Sequence, residues 1–231
     1  DHQIAYEFPN LTVDHAMRNP PIRPGFWRGV NVNQNAVYLE CFMDEMAAAA
    51  GRDPLEFRLA HLKNSPKSAA VLKAVAQKSG WGSGDGKSRG LALFHAFGSY
   101  VAACADVTVD GSGDLSINRI VAATDCGTAV NPQQIEAQIE GSFVYGLSAA
   151  LYGEITYENG QVQQDNFHTY PSMRIKDMPE VHSIVMPSGG FYGGVGEPTI
   201  SVAAPAVLNA IFAATGTRIR TLPLKDQKLR A

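Results

Sequence analysis

The densest chemical signal in the sequence is the run Gly189-Gly190-Phe191-Tyr192-Gly193-Gly194-Val195-Gly196-Glu197-Pro198. Glycine at 189, 190, 193, 194 and 196 lets the backbone come close to a ligand and presents bare N–H groups. The run feeds a helix start at Pro198, where the helix dipole favours an anion. Glu197 stands just before that start, and two readings are open for it. It is either a carboxylate that complements the helix terminus, or a base held at the edge of a ligand site. The spacing is not G-x-G-x-x-G after a strand, and no G-K-[ST] occurs in the run, so the ordinary nucleotide motifs are absent.

Three other stretches carry candidate chemistry. Gly25-Phe26-Trp27-Arg28-Gly29-Val30 sets an arginine among aromatics and glycines, a pattern that lines a pocket and meets an anion, or that anchors a surface loop through one Trp. Asp125-Cys126-Gly127 to Asn131-Pro132 leads into Gln138-Ile139-Glu140-Gly141. There Gln138 and Gly141 fall one helical turn apart, which suits an amide beside a close backbone approach. Asn166-Phe167-His168-Thr169-Tyr170-Pro171 is a polar-aromatic loop whose histidine either bonds locally or faces a ligand. The other histidines (His2, His15, His61, His95, His182) show no metal-ligand spacing. Cys41, Cys104 and Cys126 form no C-x-x-C pair, so zinc, iron–sulfur and disulfide frameworks are not expected in this chain.

These residues need elements to position them. Asp1 to Pro24 reads as irregular, broken by Pro20, Pro21 and Pro24. A helix follows from about Asn33 to Ala50, ended by Gly51. Asp53, Pro54 and Glu56 form a capping-box start for the next helix, and a third runs over about Ser68–Ser79. Gly82 to Gly90 is a polar connector that divides the chain into 1–82, a loop plus helices, and 83–231, an α+β subdomain. Strands are predicted at Leu91–Phe97, Val101–Val109 and Leu115–Ala123, with a hairpin loop at Asp110–Asp114. Asn131 caps a long helix to about Leu151. Asn159-Gly160 tips a small hairpin, Val181–Met186 is a strand, Pro198 opens a helix ended by Gly216, and Ile219–Leu222 is a last short strand. Mixed hairpins and separate helices give an α+β class, with helices packed on a mixed or antiparallel sheet.

Composition narrows the function classes. The chain has 231 residues, 45% of them hydrophobic, enough for a real core, while charged residues are only 18%. The second figure is below the usual quarter, so part of the surface is expected to be covered by something else. With 19 Lys+Arg against 22 Asp+Glu, there is no basic field for nucleic acid. No apolar run reaches the roughly 18 residues of a membrane span, and Asp1–Asn10 shows no signal-peptide pattern.

Taken in order, these pieces resemble the C-terminal part of the molybdenum-binding large subunit of the xanthine dehydrogenase and aldehyde oxidoreductase family. The nearest branch is that of the isoquinoline 1-oxidoreductase beta subunit. The likeness rests on Gly25 to Asn35, on Glu45 through Gly51-Arg52-Asp53-Pro54-Leu55-Glu56-Phe57-Arg58, on Asp125-Cys126-Gly127 to Asn131-Pro132, and on Gln138 to Gly141. It continues through Gly146 to Ile155, Asn166-Phe167-His168, Gly193-Gly194-Val195-Gly196-Glu197-Pro198 and Ala213-Ala214-Thr215-Gly216.

The resemblance implies a molybdenum-dependent hydroxylase that puts water-derived oxygen on an electron-poor carbon of an N-heterocycle or an aldehyde. It makes Glu197 the active-site base beside a molybdenum held by a pterin dithiolene. It assigns Arg28, Gly29, Gln138, Gly141, Gly193, Gly194, Val195 and Gly196 to the cofactor, with main-chain N–H groups of 193–195 near it. Phe26, Trp27, His168 and Tyr170 become walls of the substrate pocket. It further implies a molybdopterin cytosine dinucleotide, [2Fe–2S] clusters in a small partner subunit, and in this branch a cytochrome as electron acceptor. Two departures stand out. No Gly-Gln-Gly loop is present, Gly160-Gln161-Val162 being a hairpin tip, and Thr199-Ile200-Ser201 replaces the usual G-x-P-x-x-P pattern. The missing loop is expected in an N-terminal remainder of the large subunit, so this chain is expected to be inactive alone. A scaffold or partner-binding subunit that kept the fold is the competing reading, and an unrelated domain with a glycine-rich loop is a third. Relatives in this branch often carry a twin-arginine export signal, which leaves periplasm and cytoplasm both open.

Overall fold

Alanine and glycine dominate one face of the central sheet, and that sets how closely a helix can approach it. The structure, a computed structural model, describes residues 4–229. After an irregular opening come α1 (Val32–Ala49), α2 (Pro54–Ala60) and α3 (Pro66–Ser79). Next are β1 (Ser88–Ala96), β2 (Ser99–Val109), β3 (Leu115–Asp125) and α4 (Pro132–Tyr152). A two-residue hairpin pairs β4 (Tyr157–Glu158) with β5 (Gln161–Val162). It is followed by β6 (Glu180–Val185) and α5 (Ala203–Thr215). The main sheet runs β1-β2-β3-β6, antiparallel through the first three strands and parallel between β3 and β6. The expected α+β arrangement, helices packed on a mixed sheet, is what forms.

Both faces of the sheet are covered. Ala92, Ala103, Ala105 and Ala122 bury against α5 and α4, the latter contributing Ile135, Ile139, Phe143 and Leu147. Leu91, Leu93, Cys104 and Val121 bury on the other side with Phe57, Val71, Leu72 and Val75 from α2 and α3. A strand buried on both faces reads as a continuous apolar run, not an alternation, which matches Leu91–Ala96 and Val101–Ala105. Helix α1 gives Val32 and Ala36 to the first core and Met43 and Ala47 to the second. Gly90 shows the closeness required: a Cβ there would run into the main-chain N of Ala210 and O of Ala206 on α5.

Local signals behave as their chemistry dictates. Asp53 Oδ1 accepts from the N–H groups of Leu55 at 2.8 Å and Glu56 at 3.1 Å, although among the described residues Glu56 returns no bond to Asp53, so half of the capping box forms. Asn131 Oδ1 accepts from Gln134 N at 3.2 Å. Phe97 and Gly98, with φ of 52° and 75°, form a two-residue turn between paired Ala96 and Ser99. This is the hairpin geometry whose twist suits the flanking strands.

A buried ionic network ties the chain's ends to its middle. Arg58, fully buried, donates to Glu40 Oε2 at 2.9 Å and to the carbonyls of Glu40 and Leu91. Tyr6 donates to Glu40 Oε1 at 2.7 Å, and Arg218 donates to Asp44 Oδ2 at 2.7 Å. Burial lowers the Arg58 pKa, but Glu40, Tyr6 and Asp44 outweigh it and the net shift is upward. The guanidinium therefore stays charged.

Three expectations need correction. Ile219–Leu222 forms no strand, because side chains hold that segment instead of a ladder: Arg218 bonds Asp44 and lies 3.3 Å over the Phe212 ring. The polar connector ends earlier than Gly90, since Ser88–Gly90 already pair with Ala105–Val107. The helices before that connector pack on the sheet after it. Finally, Pro198–Thr215 is long and apolar enough by composition to cross a membrane, with mean hydropathy 1.4, yet 72% of it is buried inside the protein. The charge-free segment covers the alanine face. The irregular opening holds from residue 4, although Tyr6 is buried in the second core; residues 1–3 of that expectation lie outside the described residues.

Gly90→Ala is expected to destabilise the chain by about 1–3 kcal/mol, the usual range for overpacking, because backbone on α5 must give way. Gly111→Ala, in open space, is the control. Urea unfolding midpoints of the two variants check this.

Candidate functional site

Three segments meet where sequence placed the candidate residues: the Trp27–Val30 turn ahead of α1, the middle of α4, and the glycine run that ends at Glu197. Arg28 joins them. Its Nε donates to Gly196 O at 2.6 Å. Its Nη2 reaches Gln138 O and Gln138 Oε1, both at 3.0 Å, and Ser142 Oγ at 2.9 Å. The guanidinium lies 5.6 Å from the Tyr145 ring centre, within cation–π range. Burial lowers its pKa, with Tyr145 and Glu197 opposing the fall.

The next residue grips the carboxylate. Gly29 N donates to Glu197 Oε1 at 3.0 Å, which leaves Oε2 without a protein donor among the described residues. Gly29 has φ of +88°, and a Cβ on it would lie 2.5 Å from Ile200 Cγ2. Asn33 Nδ2 closes the turn by donating to the carbonyls of Arg28 and Val30. On the far side, Glu197 O accepts from Ile200 N at 3.2 Å, the start of a 3-10 turn over Pro198–Val202 that leads into α5. Thr199 and Thr124 share a buried hydroxyl contact at 3.3 Å that pins this turn to β3.

The glycine run lies across two other loops. Gly189 N donates to Gly127 O, Gly193 N to Cys126 O at 2.8 Å, and Gly194 N to Phe97 O at 2.7 Å. Thr128 Oγ1 donates to Gly190 O, and Ser99 Oγ to Gly194 O at 2.6 Å. A Cβ on Gly127 would strike Phe191 O, and one on Gly193 would strike Ser99 Oγ and Gly98 O. So Gly127 and Gly193 serve close packing against neighbouring backbone, while Gly189 and Gly190 have open space and positive φ of 76° and 83°. The N–H groups of Gly193 and Gly194 are engaged within the protein, unlike the expectation that they face a ligand. The N–H groups of Val195 and Gly196 have no protein acceptor among the described residues.

The structure therefore brings together Arg28, Gly29, Gln138, Gly141, Gly196 and Glu197, with Gly193, Gly194 and Val195 on the adjoining run. Gly141 faces the guanidinium, its would-be Cβ 3.4 Å from Arg28 Nη1. Trp27 packs on Tyr145 at 5.7 Å, while Phe26 is fully exposed. His168 and Tyr170 sit on an exposed loop whose hydrogen bonds are internal, through Thr169 to Asp165 and Asn166. No hydrogen bond links either to the Glu197 cluster among the described residues. Ser142, Tyr145 and Asn33 are site residues that the sequence reading missed. Gln138, Ser142 and Tyr145 lie at i, i+4 and i+7 on one helix face, a spacing that could have flagged them.

The donors fit an acceptor-rich cofactor. Arg28 Nη1, Gln138 Nε2 and the N–H groups of Val195 and Gly196 have no acceptor among the described residues. They flank a carboxylate with one free oxygen. The cluster sits on an open face, and the apolar groove of about 530 Å³ beside it, lined by Trp27, Val30, Asn33, Gly146 and Ile200, does not include Glu197. Among the described residues no three His, Cys, Asp or Glu side chains form a metal-binding group. Burial pushes the Cys41 and Cys104 thiols up to about 12, which leaves them protonated and poor ligands.

Fold and site together define a cofactor-binding domain. More particularly, the chain belongs to the molybdopterin cofactor-binding domain family, whose model matches residues 29–179. It is 33% identical to the beta subunit of isoquinoline 1-oxidoreductase from Brevundimonas diminuta, over 96% of this chain and 29% of that protein. It is 32% identical to a nicotinate dehydrogenase subunit of Pseudomonas putida, over 98% of this chain and 21% of that protein. The chain thus spans less than a third of the length of these curated relatives. The aldehyde oxidoreductase of Desulfovibrio desulfuricans shares the fold, with a TM-score of 0.71 over 88% of this chain and 41% of that one, at 14% identity. The resemblance read from the motifs holds at family level. The family model stops before Glu197.

Gly193→Ala is expected to cost about 1–3 kcal/mol, because the new methyl meets Ser99 Oγ and main-chain atoms of the β1–β2 turn. Gly25→Ala, with nothing near its Cβ, should unfold at the same urea concentration as the parent.

Proposed function

We propose that this chain supplies the base and one cofactor-facing wall of a molybdenum hydroxylase that acts on an electron-poor carbon of an N-heterocycle or an aldehyde. The observation that carries this reading is the state of Glu197. One carboxylate oxygen is fixed by the Gly29 N–H, and among the described residues the other has no donor and stands beside a set of donors without acceptors.

A molybdenum pterin bound here would supply a two-electron acceptor and a water-derived oxygen. Gln138 Nε2, Arg28 Nη1 and the N–H groups of Val195 and Gly196 would hold its acceptors, with Gly141 giving room for close approach. Gly193 and Gly194 shape the run that carries them. Glu197 takes the proton at Oε2, and the Gly29 bond keeps that oxygen aimed outward. A carboxylate is basic enough for this because a metal lowers the pKa of its own water. Phe26 and Trp27 flank the substrate side, and His168 and Tyr170 complete the wall when the loop is covered. The names of the two relatives, isoquinoline and nicotinate enzymes, support an N-heterocycle. We assign the cytosine dinucleotide form of the pterin, an iron–sulfur partner subunit with [2Fe–2S] clusters, and a cytochrome acceptor on the same family grounds. The remainder of a longer subunit supplies the Gly-Gln-Gly loop, so this stretch is inactive by itself.

In the assembled enzyme, Glu197→Gln should lower kcat by about 10²- to 10⁴-fold, the usual share of a general base, with molybdenum per subunit unchanged. Full turnover in that variant would return the chain to the scaffold reading.

A further inference from the structure

We infer that Arg28 is first a positioning residue for Glu197, with Ser142 as its anchor, and through Nη1 alone a minor ligand of the cofactor. The inference rests on the reading of Glu197 as the base.

The hydrogen bonds around Glu197 are unevenly placed. After it, the 3-10 turn and the Thr199–Thr124 contact fix the chain. Before it, the last holds on the glycine run are Gly194 N to Phe97 O and Ser99 Oγ to Gly194 O at 2.6 Å. Between Gly194 and Glu197, Arg28 Nε to Gly196 O is the sole bond from protein to backbone among the described residues. That carbonyl belongs to the peptide joined directly to Glu197, so its position sets where the carboxylate starts. Glycine at 196 cannot restrict its own dihedrals. The arginine supplies the restriction.

The other edge of the guanidinium is fixed to α4. Nη2 is held by Gln138 O, Gln138 Oε1 and Ser142 Oγ, and the fully buried Ser142 itself donates to Gln138 O at 2.8 Å. Helix α4 is in turn bolted to the sheet by Ile139 and Phe143. The fork thus transfers the position of a rigid helix to a glycine peptide. Lysine could not do this, because an ammonium is one point and a guanidinium has two edges. With Nε and Nη2 committed, only Nη1 is left, which is too little to make Arg28 a principal cofactor ligand.

The test uses the assembled enzyme with Arg28→Lys, Arg28→Ala and Ser142→Ala. Positioning predicts that kcat falls roughly 10- to 100-fold in the arginine variants, the scale of a misplaced reacting group, with KM, molybdenum and released nucleotide per subunit unchanged. Guanidinium ion should restore part of the Arg28→Ala rate, and amide exchange in the peptide spanning Val195–Ile200 should quicken. Ser142→Ala should show the same pattern at a few-fold scale, and it carries the test if the arginine variants do not assemble. Loss of cofactor in proportion to activity would overturn the inference, as would parental kcat with parental exchange in Ser142→Ala. If Glu197→Gln turns over normally, the base reading fails instead; if Glu197→Gln is inactive while Arg28→Lys is fully active, only this inference fails.

Discussion

A guanidinium has two hydrogen-bonding edges, and the site depends on one of them gripping a helix while the other grips a glycine loop. Arg28 spends Nη2 on α4 and Nε on Gly196 O. The glycine run needs such an outside hold because it lies flat on the Cys126–Thr128 loop and the Phe97–Gly98 turn, where side chains would collide. Close packing of backbone on backbone and loss of local rigidity come from the same glycines. The neighbouring loops restore rigidity up to Gly194, and Arg28 and Gly29 restore it for the last peptides before Glu197.

That arrangement works only if α1, α4 and the sheet keep their spacing. Arg28 and Gly29 sit in the turn that opens α1, so the register of α1 places the guanidinium. Helix α1 is fixed deeper in the protein by Glu40 and Asp44, which meet Arg58 and Arg218. Asn209 of α5 donates to Leu91 O at 2.9 Å, beside Arg58. Removing one partner of such a buried pair costs about 3–5 kcal/mol, since it strands a charge away from water. The network is therefore less a source of net stability than a fixed joint between α1, α2, β1, α5 and the segment after it. The alanine face of the sheet does the complementary work, letting α5 come close enough for the turn at Pro198 to reach the site.

The sequence showed the parts whose causes are local. The Asp53-Pro54 and Asn131-Pro132 helix starts, the glycine stops at Gly51 and Gly80, the Asn159-Gly160 hairpin and the apolar strands follow from capping, turn chemistry and patterning. Family likeness pointed to Arg28, Gln138 and Glu197, and these do converge. What was not legible depends on contacts between distant segments. Nothing around Ile219 says that Arg218 will hold that segment to Asp44 instead of a neighbouring strand. Nothing in the glycine run says that Gly193 and Gly194 will spend their N–H groups on Cys126 and Phe97. The sheet order also escapes local reading, because β6 joins β3 in parallel across a long excursion through α4. Ser142 and Tyr145 are the intermediate case: their spacing from Gln138 was visible, but only the position of Arg28 gives that spacing a meaning.

The central claim is that Glu197 is held at Oε1 by Gly29 so that Oε2 faces the reacting centre. An experimental structure of the assembled enzyme with its cofactor tests it most directly. The account predicts that the Glu197 carboxylate points at the molybdenum, within reach of one water or closer, with the Gly29–Glu197 and Arg28–Gly196 bonds intact. A molybdenum centre faced by a different carboxylate, with Glu197 turned back onto the end of its own helix, would contradict it.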